Sequence, residues 1–368
     1  TGIGLFIIKI LLLLFILGII ILVHEFGHFI WAKTFGVHIY EFSIGMGPLL
    51  HTHKGKKDGI NYNIRAIPIG GFVSMAGEVY DSGEVDENNK KIKKDKLMCN
   101  KKWWQRLIIL VAGVVNNFIL AIVILFIYTL IWGGGAITPK VLNVVEDKPA
   151  AAAGLKSGDV ITNINGYNVS SWDKAQIILY YKNTNEYYTF EVKHTDGTKE
   201  EIKIKPEIIK DEETGAESKL FGIQIDAEDT SNVFKSFIYS IRKFNSIISS
   251  MVYTIWGLIS GKIGLSALSG PVGIYEAVGE TINYGINYFL YILAFLSINV
   301  GFINILPFPA FDGGHVLFLI IEKIKGSPVN AKIENTCHLI GFILVFLLMI
   351  VVTTVSYTHL TLPTIYSV

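Results

Sequence analysis

Four apolar stretches divide the chain, and each is long enough to cross roughly 30 Å of hydrocarbon as a helix. They cover residues 3–23, 107–132, 286–306 and 339–355. The first carries one charge, Lys9, and is too long for a signal-peptide core. No small-residue cleavage site follows it, so we expect the segment to be retained. The pattern predicts a polytopic α-helical membrane protein with about four transmembrane helices and both termini on one side.

The distribution of lysine and arginine predicts which side that is. These residues cluster just before the second span and between the third and fourth spans. Short loops rich in Lys and Arg stay in the cytoplasm, so both termini and the long polar segment 133–232 are expected outside.

A fifth segment, residues 234–263, has isoleucine and valine at helix-like spacing. Arg242, Lys243 and Asn245 interrupt this pattern, which favours an amphipathic helix lying in the membrane interface. A crossing helix is the alternative, and it would reverse the topology of everything that follows.

Composition narrows the class of protein further. Hydrophobic residues make up 51% of the 368 residues, charged residues make up 17%, and the net charge is +1. A lipid bilayer is therefore the expected environment, and the chain has no basic excess with which to bind nucleic acid. Cys99 and Cys337 are too few for a disulfide framework. Because the chain does not begin with methionine, we expect residues to precede Thr1.

The sequence pattern over residues 136–208 predicts a small α/β module. Strand-like residues 141–145 and 160–164 flank a short alanine helix that Gly154 closes, and a second helix is expected over 172–181. This segment resembles a PDZ domain of the kind found in bacterial proteases. The resemblance implies an exposed sheet edge that accepts an extended peptide. A spacer domain that binds nothing is the alternative.

The loop over residues 36–106 has a different pattern. Strand-like residues 61–69 run into two glycines and a further apolar run, which favours a β-hairpin associated with the membrane boundary. A plain cytoplasmic hairpin is the alternative. We predict that the loop offers an edge for an extended substrate through Asn61, Ile64, Ile67, Gly70, Gly71 and Phe72.

The sequence His24-Glu25-Phe26-Gly27-His28 lies toward the far end of the first apolar helix and has the HExxH pattern. Residues four apart share one helix face, so both imidazoles can reach one Zn²⁺. Glu25 lies beside them and is predicted to act as a catalytic base toward water at the metal. Ionisable groups within a span are costly, which favours a functional role for all three.

A catalytic zinc needs a third protein ligand, and Asp312 is the candidate. It follows Pro307 and Pro309, which break the third span beside a carboxylate. An ordinary Asp-Gly-Gly turn is the alternative for Asp312, and His315 is the rival ligand.

Three asparagines lie within the apolar runs. Asn304 is predicted to stabilise an oxyanion through its amide, although a packing hydrogen bond between helices is the alternative. For Asn116 and Asn117 in the second span we favour packing.

Together these motifs resemble the site-2 protease family. The resemblance rests on HEFGH, on FSIGMGP at 42–48, on IRAIPIGGFVSMAGE at 64–78, on the PDZ-like segment and on NILPFPAFDGG at 304–314. It implies zinc held by His24, His28 and Asp312, with Glu25 as the base. One departure is Val114, where the family usually carries proline. The predicted segments are 1–35, 36–106, 107–132, 136–208, 233–285, 286–321 and 335–355, with an unassigned tail 356–368.

The resemblance implies an intramembrane zinc endopeptidase in the bacterial inner or plasma membrane, with its active site near the cytoplasmic face. Its expected substrate is the transmembrane segment of a single-span protein, such as an anti-sigma factor already cut outside. Two alternatives remain, namely a catalytically inactive membrane-anchored PDZ adaptor and a solute carrier built on the broken third span.

Overall fold

The computed structural model describes residues 2–78, 85, 91–181, 186–210, 217–264 and 270–358. The four predicted spans are confirmed as helices that are long and apolar enough to cross a membrane, so the chain is a multi-pass membrane protein. These helices are α1 (Gly2–Thr34), α2 (Trp103–Trp132), α8 (Ile286–Ile305) and α10 (Ala331–Thr358).

The third apolar region contains two helices rather than one. Helix α8 ends at Ile305, and α9 begins at Asp312 and runs to Lys325. Between them, the proline-containing segment 306–311 has no regular helix, because proline removes a backbone donor and clashes with the preceding turn. The predicted break is confirmed, and the helical part extends beyond the predicted limit of residue 321.

The chain divides into two compact units. The first comprises Thr1–Ile124 and Gly273–Ile350, and the second comprises Leu125–Val272 and Val351–Val368. Helix α10 includes residues 356–358 of the unassigned tail, and residues 359–368 lie outside the described residues.

In the first unit, two long bent strands form a β-sheet beside α1. They are β1 (Ile39–Lys54) and β2 (Asn61–Met75), and each folds back so that the sheet has four segments. Their order across the sheet is 71–75, 39–46, 61–67 and 49–54. Gly71 permits this close pairing, because a side chain there would collide with the Ser43 carbonyl oxygen.

The second unit contains the α/β module. Its strands are β3 (Val141–Val144), β4 (Val160–Ile164), β5 (Tyr167–Asn168), β6 (Tyr188–Lys193), β7 (Lys199–Ile204), β8 (Glu207–Lys210), β9 (Glu217–Leu220) and β10 (Ile223–Ile225), and its helices are α3 (Pro149–Ala152) and α4 (Trp172–Tyr181). The main sheet has the order β5-β4-β6-β7. Strand β10 pairs with β3, and Phe221 and Ile223 lie in the core. The predicted end at residue 208 was therefore too early, because the returning strand completes the core.

The amphipathic segment forms helix α5 (Val233–Ile259), which Asn232 caps and which ends before the predicted residue 263. Two short helices, α6 (Pro271–Gly279) and α7 (Thr281–Tyr284), follow it. Lys243 interrupted the apolar pattern, yet it is buried rather than solvated. Its ammonium lies 2.6 Å from the Asp173 carboxylate on α4. The interruption therefore reflects a buried ion pair with the module.

Candidate metal centre

Helix α1 places two histidine rings on one buried face. His24 and His28 are 5% and 7% exposed, and their Nε2 atoms lie 3.2 Å apart. One helical turn separates the residues, so both rings lie on the same helix face, edge to face with their centroids 4.8 Å apart, and their Nε2 atoms point to a common point.

The side chain of Asp312 reaches the same point from the other end of the sequence. Its Oδ2 lies 2.9 Å from His24 Nε2 and 3.4 Å from His28 Nε2. This oxygen is buried and has no other polar neighbour among the described residues. Three donor atoms thus converge from α1 and from the first residue of α9.

The donor set fits a zinc ion. Ligand atoms bound to tetrahedral zinc at about 2.0 to 2.1 Å lie roughly 3.3 Å from one another. The three mutual distances here are 3.2, 2.9 and 3.4 Å. Two imidazoles, one carboxylate and one open position are also a common ligand set of catalytic zinc. The buried carboxylate oxygen, which faces two ring nitrogens, is the atom that a cation would satisfy.

The double glycine after Asp312 explains how a turn can present this carboxylate at a helix start. A side chain at Gly313 would collide with the carbonyl oxygens of Leu306 and Ile305, and one at Gly314 would collide with that of Phe308. The first turn of α9 therefore packs directly onto the preceding backbone, and only glycine leaves the room for it.

Helix α10 holds the turn that precedes Asp312. Ala310 has a positive φ of 114°, which is rare outside glycine. Its N–H donates to His338 Nδ1 at 3.3 Å. Gly341 brings the α10 backbone against the Pro309 carbonyl oxygen, where any side chain would collide. These contacts fix the strained turn and hence the position of the third donor.

Helix α2 lies directly behind the rings and orients them. The Ile109 carbonyl oxygen accepts from His28 Nδ1 at 2.7 Å, which leaves the His28 Nε2 lone pair free for a metal. Gly113 faces the ligand atoms, because a Cβ there would lie 2.5 Å from His28 Nε2. The amide of Asn117 lies 3.3 Å from His24 Nδ1.

Glu25 links the histidine pair to the β-sheet. Its carboxylate lies within 4.8 Å of the ring nitrogens of His24 and His28. Its Oε2 accepts the N–H of Val73 at 3.2 Å. The segment 71–75 pairs with 39–44 on one side, and the N–H of Val73 in this segment faces Glu25.

A profile of peptidase family M50 matches residues 12–348. The chain belongs to peptidase family M50. It is 30% identical to the zinc metalloprotease RasP of Shouchella clausii, over 85% of this chain and 90% of that protein. It is 30% identical to the regulator of sigma-W protease RasP of Bacillus subtilis, over 85% and 89%. It is 33% identical to the regulator of sigma-E protease RseP of Escherichia coli, over 59% and 49%. The predicted membership of the site-2 protease family is confirmed, and the protein is a zinc metalloendopeptidase.

The strand pairing in this M50 peptidase differs in part from the sheet edge that the sequence predicts. Asn61 and Ile64 lie on a segment that pairs on both sides, with 41–44 and with 51–54, so they cannot accept another strand. Gly71 and Phe72 lie on the edge segment, while Ile67 and Gly70 flank the bend between the two. The sequence pattern identified the strand correctly but could not show that it folds back on itself.

Two other predicted residues are not among the three converging donors. Asn304 is half-buried in the last turn of α8. His315 is not a ligand of the converging site, because its Nδ1 faces Glu334 Oε1 at 3.2 Å and its ring stacks on His338.

His315, Glu334 and His338 are themselves close enough for a second metal site. The hydrogen bond from the Ala310 amide argues against one, because it places the His338 proton on Nε2 and removes that lone pair. We assign this cluster to holding the turn before the third donor.

The sequence pattern favours a packing role for Asn117 and does not identify Gly113 as a neighbour of the histidines. Asn116 does pack, since its amide donates to the Val23 carbonyl oxygen at 3.2 Å. Asn117 also contacts α1, and its partner there is the ring of His24. The available signal was the spacing of four between Gly113 and Asn117, which places both on one face of a transmembrane helix.

Proposed function

We propose that His24, His28 and Asp312 hold the zinc ion of this peptidase and that Glu25 is its catalytic base. The observation that carries this assignment is the convergence of three donor atoms at 2.9 to 3.4 Å from positions almost three hundred residues apart. A packing role would not bring a buried carboxylate oxygen against two imidazole nitrogens without another partner.

The bound zinc would polarise the scissile carbonyl and acidify water at its open position. Glu25 takes the proton from the attacking water and delivers it to the leaving amine. The N–H of Val73 holds the Glu25 carboxylate in place at 3.2 Å. Asn304 donates its amide to the developing oxyanion.

The substrate binds as an extended strand along the edge segment 71–75. A helical substrate hides its carbonyls, because each already accepts an intrahelical hydrogen bond. Strand addition unwinds the helix and replaces those bonds with bonds to the sheet edge. Since Val73 already bonds Glu25, a strand added here lies beside the base and the metal ligands.

The proposed substrate is the transmembrane segment of a single-span membrane protein, such as an anti-sigma factor after a first external cut. The names of the B. subtilis and E. coli relatives, which refer to sigma-W and sigma-E, support this class. We place the chain in the bacterial inner or plasma membrane, with both termini and the PDZ-like module outside and the active site near the cytoplasmic face. The module excludes bulky substrates or binds the new peptide end.

The test is cleavage of a single-span reporter by Glu25→Gln. We expect cleavage to fall by about 10²- to 10⁴-fold while bound zinc is unchanged, because only the base is lost. The control is Glu41→Gln, which alters a carboxylate on β1 that pairs with Arg65. Glu41→Gln should cleave like wild type, and equal cleavage by wild type and Glu25→Gln would refute the assignment of Glu25 as the base.

The ligand set is tested by zinc content. Asp312→Ala and His24→Ala should each lose zinc from the purified full chain, because two remaining donors hold the ion weakly. Undiminished zinc in the Asp312 variant would refute its assignment as the third ligand.

A further inference from the structure

Asn117 is wholly buried on α2, and its amide is the hydrogen-bonding neighbour of His24 Nδ1 among the described residues, at 3.3 Å. We propose that Asn117 is a positioning residue for the metal ligand His24. Its side-chain oxygen accepts the Nδ1 proton of His24 and so aims the Nε2 lone pair at the zinc. This rests on the proposed role of His24 as a ligand.

A metal-bound histidine ring needs a hydrogen-bond acceptor for its second nitrogen. An imidazole that binds a metal through Nε2 carries its hydrogen on Nδ1, and that N–H needs an acceptor. His28 has one, because the Ile109 carbonyl oxygen lies 2.7 Å from its Nδ1 and can only accept. Asn117 occupies the corresponding position for His24.

The orientation of the Asn117 amide also bears on this role. Its Nδ2 faces His24 Nδ1, while its Oδ1 is buried and has no hydrogen-bond partner. In this orientation the ring proton is on His24 Nε2 and faces Asp312 Oδ2 at 2.9 Å. When Nε2 becomes a ligand, that proton is lost from Nε2 and Nδ1 carries the hydrogen. A half-turn of the amide then presents Oδ1 to it.

The backbone of Asn117 is held in place by α8. Its carbonyl oxygen accepts from Ser297 Oγ on α8 at 2.9 Å. Gly301 on the same helix packs closely against this part of α2, since a Cβ there would lie 2.7 Å from the Phe118 ring and 3.4 Å from Asn117 Cβ. Rotation of the amide is therefore the adjustment available to this fully buried side chain.

The experiment measures zinc affinity of the purified full chain by competition with a chelator. Asn117→Leu should bind zinc about 10- to 100-fold more weakly, because the loss of such a second partner costs a metal site that much. Asn117→Asp keeps an oxygen acceptor and should retain wild-type affinity. The matched control is Asn116→Leu, which removes a hydrogen bond between the same two helices without touching a ligand.

Equal affinities for Asn117→Leu and Asn116→Leu would overturn the proposal, because helix packing alone would then explain the loss. A loss in Asn117→Asp equal to that in Asn117→Leu would also overturn it. An independent readout is the ¹⁵N spectrum of zinc-loaded wild type labelled at histidine, where we expect hydrogen on Nδ1 of His24. If the spectrum shows His24 bound to zinc but without hydrogen on Nδ1, the role of Asn117 is refuted and the ligand set stands. If it shows that zinc is bound and His24 is not a ligand, the proposed ligand set is refuted.

Discussion

Gly113→Ala should empty the metal centre while leaving α2 intact. A Cβ at this position would lie 2.5 Å from His28 Nε2 and 2.7 Å from His24 Nε2. Ordinary contact begins at 3.4 Å, so the two ligand atoms would have to move by about 0.7 to 0.9 Å, whereas a zinc ligand tolerates only about 0.2 Å. The His28 ring cannot swing aside without breaking its bond to the Ile109 carbonyl.

Helix stability should change in the opposite direction. Alanine is about 1 kcal/mol more favourable than glycine in a helix interior, so the variant should remain fully helical. The combination of a sound helix and a lost metal distinguishes a blocked site from a misfolded protein.

The assay is zinc content after dialysis against a chelator, with circular dichroism on the same sample. We expect zinc affinity to fall by at least the roughly 10- to 100-fold seen when an outer partner is removed, because here both ligands move. Val115→Ala is the control, since Val115 lies on the same helix and is 45% exposed. Full zinc occupancy in Gly113→Ala would refute the placement of α2 against the ligands.

Two further predictions concern the turn before the third ligand and the α/β module. His338→Leu should weaken zinc binding and His338→Asn should restore it, because only the latter keeps an acceptor for the backbone amide of the turn; equal zinc affinities in the two variants would contradict this. In the module, hydrogen bonds to Asp159 and Glu200 raise the pKa of His194. A raised pKa stabilises the fold fully below the ordinary value of 6.5, and this stabilisation is lost as pH rises through the folded-state value. The thermal midpoint of wild type should therefore exceed that of His194→Gln most at acid pH, and a pH-independent difference would argue against the ion pair.

Local sequence determined the features that depend on one stretch of chain. The uniform apolar character of α1, α2, α8 and α10 predicts spans, because lipid admits only helices with satisfied backbones. Helical spacing alone places His24 and His28 on one face. Proline at 307 and 309 predicts the break in the third apolar region, because proline cannot continue a helix.

Features that depend on contacts between distant residues required the tertiary structure. The edge of the sheet is the segment 71–75 and not residues 61–64. The reason is that β2 folds back, which places residues 61–64 between two other segments. The module includes β10, which lies beyond the predicted end at residue 208, because β10 pairs with β3 some eighty positions earlier in the chain. The sequence shows Lys243 as an interruption of an apolar pattern, and only the packing of α5 on α4 reveals that it is a buried partner of Asp173.

The metal centre shows both contributions. Residue types and helical spacing predict which side chains can bind zinc, since ligand chemistry belongs to the side chains. Tertiary packing brings Asp312 to the histidines, makes Gly113 the position that leaves room for them and places Asn117 against one of their rings. The reason is physical: these positions are set by how closely three helices pack, and close packing depends on every contact along them rather than on any local pattern.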